Sequence, residues 1–408
     1  MPLLKNIRTL YQCTDSGEQA DVHPIEGAAL AWNQEGAITW VGKESELPEE
    51  LADEPAYDTK QRMVVPGLID CHTHLAFGGE RSEEFEMRVL GKSYLDIAKA
   101  GGGILSTVAS TRKASQEELT ERARTTLHAM ISLGVTTVEA KSGYGLTLKD
   151  ELKLLSVYRT LQRTEKVSVI PTFLGAHTIP KEYKEKRATY IELLINEMIP
   201  AVAEQQLATF CDIFVEDSAF SREEAQVILE VGKRYGLRPK LHADQLSDGG
   251  GATLAAELGA ISADHLEQIS VTGITDMASK GVIAVTLPIA SLYTQEAPLD
   301  ARKLIQAKIP VAVATDFNPG SAPSYHLPLA LMLACNLNRM SPAEALKGAT
   351  MYAARALGID ESFGSLEPGK QADFAILDTP SVNYWLYQFQ SNNCTATVKG
   401  GELLYGAL

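Results

Sequence analysis

Met63-Val64-Val65-Pro66-Gly67-Leu68-Ile69-Asp70-Cys71-His72-Thr73-His74 is an apolar run that ends in two histidines one residue apart. Side chains along an extended chain alternate, so His72 and His74 face one side and Cys71 the other. Two imidazoles converging from the end of one strand make half of a divalent-metal site. Four later apolar runs also end in polar residues able to ligate a metal, bind substrate or move protons: Ala176-His177, Leu241-His242, Asp264-His265 and Thr315-Asp316. One histidine at a strand end is ordinary, but this recurrence points to metal-dependent hydrolysis.

Working outward, eight short runs rich in apolar and β-branched residues read as strands: Met63–Ile69, Val135–Ala140, Val167–Phe173, Cys211–Val215, Pro239–Ala243, Ala260–His265, Val282–Leu287 and Pro310–Ala314. Helix-like amphipathic segments such as Gln116–Leu133 and Arg222–Tyr235 alternate with them, the pattern of a (β/α)8 barrel. An open doubly wound sheet is the rival. It would spread the polar strand ends along an edge, whereas a barrel gathers them around one axis. The flanks read differently. Ala28–Trp32 and Ala37–Val41 alternate around Asn33-Gln34-Glu35-Gly36, a hairpin turn, and Asp373–Leu377 and Ala396–Lys399 are further strand candidates. The expected organisation is a barrel over residues 62–363 with a small β-sandwich domain built from both chain ends, 1–61 and 364–408. Gly101-Gly102-Gly103 reads equally well as an active-site loop or a spacer.

The 408 residues are 45% hydrophobic and 22% charged, as in soluble globular proteins. No apolar run reaches membrane-spanning length and no secretory leader is evident, which predicts no membrane partner. The formal charge of −15 opposes binding to nucleic acid, and it means that an anionic substrate needs a locally basic pocket. Five scattered cysteines without a CxxC pair predict no disulfide framework and a cytoplasmic location.

A set of three imidazoles and one carboxylate, drawn from His72, His74, His242, His265 and Asp316, suits Zn2+ or Fe2+ far better than Mg2+ or Ca2+. An ion held with one position open brings the pKa of a bound water down towards 7. The whole arrangement resembles the amidohydrolase superfamily: His-x-His after strand one, histidines after strands five and six, Asp after strand eight, and Gly364–Phe374 leading into the C-terminal β segment. Within it the chain is most similar to the imidazolonepropionase family, through His72–Arg81, Glu139–Leu146, Phe173–His177, His242-Ala243-Asp244-Gln245, Ala263–Glu267 and Ala314–Ser321.

That resemblance implies one Zn2+ or Fe2+/Fe3+ per chain on His72, His74, His242 and Asp316, a homodimer, and a small anionic substrate. The implied reaction opens the lactam ring of 4-imidazolone-5-propionate to N-formimino-L-glutamate in histidine degradation. His265, Asp316 and Gln245 are the expected catalytic residues, with the proton work on His265 and Asp316 because a glutamine cannot shuttle protons. Arg81, Tyr144, His177, Gln245, Asn318, Gly320 and Ser321 are the expected substrate contacts, Arg81 as a grip on the propionate. Many binuclear members of the amidohydrolase superfamily carry a lysine after strand four; Phe214-Val215-Glu216-Asp217-Ser218 has none, which predicts a single metal. Lys141 reads as a structural or substrate-side cation, and Glu139 either as its partner or as a group behind the metal ligands. Arg88 reads as solvated or paired within its helix. The alternatives are a related cyclic amide or amidine hydrolase, a heterocycle deaminase, and an inactive barrel used as a scaffold.

Overall fold

The structure, a computed structural model, describes residues 2–92, 102–389 and 392–408. Eight strands pair in chain order, all parallel: β1 Leu68–Asp70, β2 Val135–Lys141, β3 Ser168–Ala176, β4 Phe210–Val215, β5 Arg238–Ala243, β6 Ser262–His265, β7 Ile283–Thr286 and β8 Val311–Val313. They are almost wholly buried, as strands covered on both faces must be, and this is why they read as continuous apolar runs. Helices on the outside supply the second layer. Arg222–Arg234 buries Ala225, Ile228, Leu229 and Gly232 along one stripe, and Ser221 with Glu224 forms a reciprocal capping box at its start. Ser115 and Glu118 do the same for Gln116–Ile131.

The seam between β8 and β1 closes just beyond the strand ends. Asp316 N–H donates to the His72 carbonyl (3.0 Å) and His74 N–H to the Phe317 carbonyl (2.9 Å). The buried Asp70 carboxylate accepts from Thr315 N–H (3.1 Å) and Thr315 Oγ1 (2.6 Å). The chain that closes the barrel is thus the chain that carries His72, His74 and Asp316.

The expected first strand, Met63–Ile69, is two strands. Met63–Pro66 pairs with Phe374–Leu377 and with Leu3–Tyr11, and after Gly67 the chain enters the barrel as β1. Gly67 N–H donates to the Asp373 carbonyl (2.8 Å), and a Cβ at this position would collide with the Thr136 side chain. Bare backbone is what lets one apolar run serve two sheets.

Both chain ends meet in the second sheet. In spatial order it holds Glu402–Gly406, Cys394–Lys399, Phe374–Leu377, Met63–Pro66, Leu3–Tyr11, Pro24–Trp32 and Ile38–Lys43, with Ala56–Asp58 beside Leu3–Tyr11. The strands expected of the small β domain are joined in one mixed sheet, separate from the barrel. Trp32 meets Phe374 edge-on (centroids 5.6 Å apart), and Ile38 N–H reaches the Lys370 carbonyl (2.7 Å). The Asn33–Gly36 turn is held by Asn33 Oδ1, which accepts from Glu35 N–H (3.0 Å) and Ala37 N–H (2.9 Å).

None of the five cysteines is disulfide-bonded, and no described helix is long and apolar enough to cross a membrane. Of the expected glycine loop, Gly101 lies outside the described residues; Gly103 N–H donates to Glu84 Oε1 (2.9 Å) and precedes helix Ile104–Lys113.

Candidate active site

The carboxyl ends of the barrel strands bring His72, His74, His242, His265 and Asp316 together, all buried. The His72 ring lies 4.5 Å from that of His242, 5.6 Å from His74 and 5.8 Å from His265. Ligand-capable atoms converge in two groups that share His72: His72, His242 and His265, and His72, His74 and Asp316. Two strand ends use left-handed backbone to aim these side chains, with φ +79° at His265 and +55° at Asp316. Non-glycine residues rarely adopt this conformation except where surrounding structure imposes it.

The donor set fits a cation. His72 Nδ1 donates to Asp264 Oδ2 at 2.6 Å, so its Nε2 carries a lone pair, and that atom is buried without a hydrogen-bond partner. It faces Asp316 Oδ1 at 3.3 Å, and His74 Nε2 faces the same oxygen at 3.6 Å. Acceptors crowded this way are unfavourable until a cation or proton stands among them. His242 Nε2 is likewise buried and unpartnered. Burial, then neighbouring cationic groups, holds His72 and His74 well below the usual imidazole range, in the neutral form that ligates metal. Burial pushes the Asp316 carboxyl up to about 6.

Behind the histidines lies a buried ionic network. Lys141 Nζ donates to Asp212 Oδ2 (2.8 Å) and Glu139 Oε1 (2.9 Å) and stands 3.5 Å from Asp264 Oδ2; Lys240 Nζ lies 3.1 Å from Glu139 Oε1. Asp264 holds His72, and Asp212 Oδ2 lies 3.1 Å from His242 Nδ1. Lys141 therefore connects the carboxylates behind two histidines that come from different strands. Burial works against its ammonium, but Asp212, Glu139 and Asp264 outweigh that and hold it charged. This resolves Lys141 and Glu139 as partners. Asp212 and Lys240 have no role in the sequence reading, and Asp264 enters it only beside His265 at a strand end; the available signal was a charge inside an apolar strand run.

The remaining expected residues line one cavity of about 580 Å³: Arg81, Tyr144, His177, Gln245, Asn318, Gly320 and Ser321, together with His74, His242, His265 and Asp316. Tyr144 sits on a loop gathered by the buried Glu151, whose Oε1 accepts from Gly145 and Leu146 N–H (both 2.8 Å). Burial and then Asp316 raise the Tyr144 pKa, which keeps the phenol a donor. His177 stacks on His74 (centroids 5.0 Å) and donates from Nδ1 to the Gly143 carbonyl (3.1 Å), leaving Nε2 as an acceptor. Gln245 follows Asp244, whose carboxylate accepts from Gly251 and Ala252 N–H (both 2.9 Å).

At the end of β8 the donors are turned inward. Asn318 Oδ1 accepts from Gly320 N–H (2.7 Å) and Ser321 N–H (2.8 Å), and its Nδ2 donates to the Asp316 carbonyl (2.7 Å). Arg81 is also engaged, donating from Nε (2.8 Å) and Nη2 (2.6 Å) to Glu84 Oε2, while Nη1 occupies the space a side chain at Gly320 would need. Phe214, near the end of β4, presents its ring to His242 (5.9 Å) and His177 (6.4 Å). His265 Nδ1 lies 3.7 Å from Glu267 Oε2. Burial disfavours its imidazolium, but Glu267, Asp316 and Asp264 more than offset this and the pKa is raised.

Residues 63–404 match the amidohydrolase family. An imidazolonepropionase from Geobacillus thermodenitrificans is 46% identical over 388 residues, 94% of this chain and 91% of that protein. One from Shewanella frigidimarina is 46% identical over 392 residues, 96% and 95% of the two chains. Among solved structures, a mutant atrazine chlorohydrolase from Arthrobacter aurescens TC1, complexed with zinc and atraton, superposes with a TM-score of 0.79 at 17% identity (100% and 96% covered). An adenosine deaminase from Xanthomonas campestris with bound zinc gives 0.74 at 17% identity (100% and 93%). The structural likenesses share the fold.

Proposed function

The chain belongs to the amidohydrolase family and within it to the imidazolonepropionases, and from that premise we propose how its cavity opens 4-imidazolone-5-propionate to N-formimino-L-glutamate. Water adds to the ring carbonyl, the lactam C–N bond breaks, and the leaving nitrogen takes a proton. The observation that carries the reading is the cavity itself, with the histidine–aspartate cluster and Arg81 on the walls of one chamber.

In this reading His72, His74, His242 and Asp316 hold one zinc or iron ion, which when bound supplies an acidified water at neutral pH. A single ion is favoured by the Phe214 ring on the β4 side. His265, backed by Glu267, takes the proton from the attacking water, and Asp316 shares the proton work. Gln245 holds the carbonyl edge as a hydrogen-bond donor, which suits ring opening better than deamination because its amide moves no proton. Tyr144 donates to the substrate and His177 accepts from a ring N–H. Residues 62–363 then form the catalytic domain and residues 1–61 with 364–408 the small β domain of a cytoplasmic homodimer.

The test adds zinc- or iron-loaded protein to freshly generated 4-imidazolone-5-propionate. N-formiminoglutamate should form, be abolished by a chelator and return on adding metal back. No product with metal bound would move the substrate to another cyclic amide or amidine. Arg81→Ala should raise KM about 10-fold with kcat nearly unchanged, because a grip on the propionate acts equally on ground and transition states. An unchanged KM would remove Arg81 from substrate binding.

A further inference from the structure

Gln245 lines the cavity, and among the described residues its amide has no hydrogen-bond partner. The aim of that amide is therefore set by the backbone beneath it, which is tied down on two sides. On one, Asp244 adopts a left-handed conformation (φ +49°), its carbonyl accepts from Gln268 N–H (2.8 Å), and its carboxylate accepts from the first N–H groups of helix Gly251–Leu258. On the other, Glu216, the residue after β4, reaches across to the loop after β5. Its Oε2 accepts from Leu246 N–H (3.1 Å) and its Oε1 from Ser247 Oγ. Glu216 is itself fixed by a tight turn, its N–H donating to the Phe220 carbonyl (3.1 Å) and its carbonyl accepting from Ala219 N–H (2.9 Å). Ser218, Ala219 and Leu246 line the same cavity.

A carboxylate is a costly choice for this place. Glu216 is only 4% exposed, and among the described residues no side-chain nitrogen of lysine, arginine or histidine stands within 4 Å of its oxygens. Burying an anion without a cation costs desolvation free energy that two neutral donors offset only in part. If the space needed only filling, an apolar side chain would serve. What the planar carboxylate adds is two acceptors at fixed spacing, and they take the two residues that directly follow Gln245.

We propose that Glu216 is a positioning residue for the reaction: by holding Leu246 and Ser247 it fixes the backbone of Gln245, and through Gln245 it sets the hydrogen bond given to the substrate's ring carbonyl. The proposal rests on the reading of Gln245 as the donor to that carbonyl, and on the local geometry for the choice of Glu216. Glu216 itself touches no substrate and moves no proton in this account. Asp244 anchors the loop to the helix after β5, and Glu216 anchors it to the neighbouring strand.

The test is a double-mutant cycle on metal-loaded protein, read as kcat/KM for 4-imidazolone-5-propionate. Glu216→Ala and Gln245→Ala should each lower it about 10- to 100-fold, and the double variant should lie no more than about 3-fold below Gln245→Ala alone. Losses that multiply, or an unchanged kcat/KM in Glu216→Ala, would overturn the proposal. Glu216→Gln should stay within about 3-fold of wild type, because its amide can accept from Leu246 N–H and donate to Ser247 Oγ. A loss as large as that of Glu216→Ala would assign a charge or proton role instead and overturn positioning. If Glu216→Ala loses its metal or its circular dichroism spectrum, Ser247→Ala replaces it in the cycle, with a smaller loss and the same failure to multiply. Amide hydrogen exchange across residues 244–250, read without substrate, should quicken about 10-fold or more in Glu216→Ala and hold in Glu216→Gln. Unchanged exchange in Glu216→Ala overturns the proposal whatever the protein hydrolyses. A wild type that forms no N-formiminoglutamate, with exchange quickened in the variant, would sink the reaction and leave the anchor standing. Product from wild type with losses that multiply would do the reverse.

Discussion

His265→Ala is expected to lower kcat about 10²- to 10⁴-fold while the protein keeps its metal, the range that general acid–base groups supply. His265 reaches the cavity from the end of β6 in a left-handed conformation, with Glu267 3.7 Å behind its Nδ1. A side chain so aimed and backed can take a proton from water on one side and be steadied by a carboxylate on the other. Metal content makes the experiment decisive, because His265 also belongs to one of the two groups of converging ligand atoms. Loss of turnover with metal retained assigns the proton role. Loss of both would make His265 a ligand, and normal turnover would take it out of the mechanism. Glu267→Gln should follow in the same direction with a smaller loss.

Lys141→Met is expected to cost about 3–5 kcal/mol of stability and to weaken metal binding about 10- to 100-fold. The lysine is fully buried with Asp212, Glu139 and Asp264 around its ammonium, and among the described residues only Glu139 of the three has a second lysine, Lys240, within 4 Å. Asp212 and Asp264 would lose the charge that holds them, and with it their hold on His242 and His72. Denaturant unfolding reads the first effect and a metal titration the second. Wild-type stability with a 10-fold or greater loss of metal affinity would make Lys141 a positioning residue only; wild-type behaviour in both would dissolve its connection to the ligands.

Most of the barrel was legible because parallel strands buried on both faces are continuous apolar runs, and their ends are marked by the polar residues they present. The observed strands differ from the expected ones by a few residues, as β3 shows in running to Ala176. Leu3–Tyr11 was missed for a physical reason. Its buried apolar residues, Leu3, Leu4, Ile7 and Leu10, fall at helix-like spacing because the strand bulges at Asn6, whose φ is +58°. The break at Gly67 was hidden in the same way, since an apolar run does not say which sheet each of its halves joins.

The histidines and Asp316 could be read from sequence because metal chemistry needs particular residue types at strand ends, and strand periodicity says which ends converge. The sequence by itself determined the barrel, the donor set and the need for a local cation in an acidic chain. That Arg81 is held by Glu84 was decided only in the tertiary structure, as was the single lysine that ties Asp212 to Asp264. Residue type and spacing fix what a side chain is able to do, while pairing in a buried space depends on distances between segments far apart in the chain. Those distances exist only once the barrel has closed.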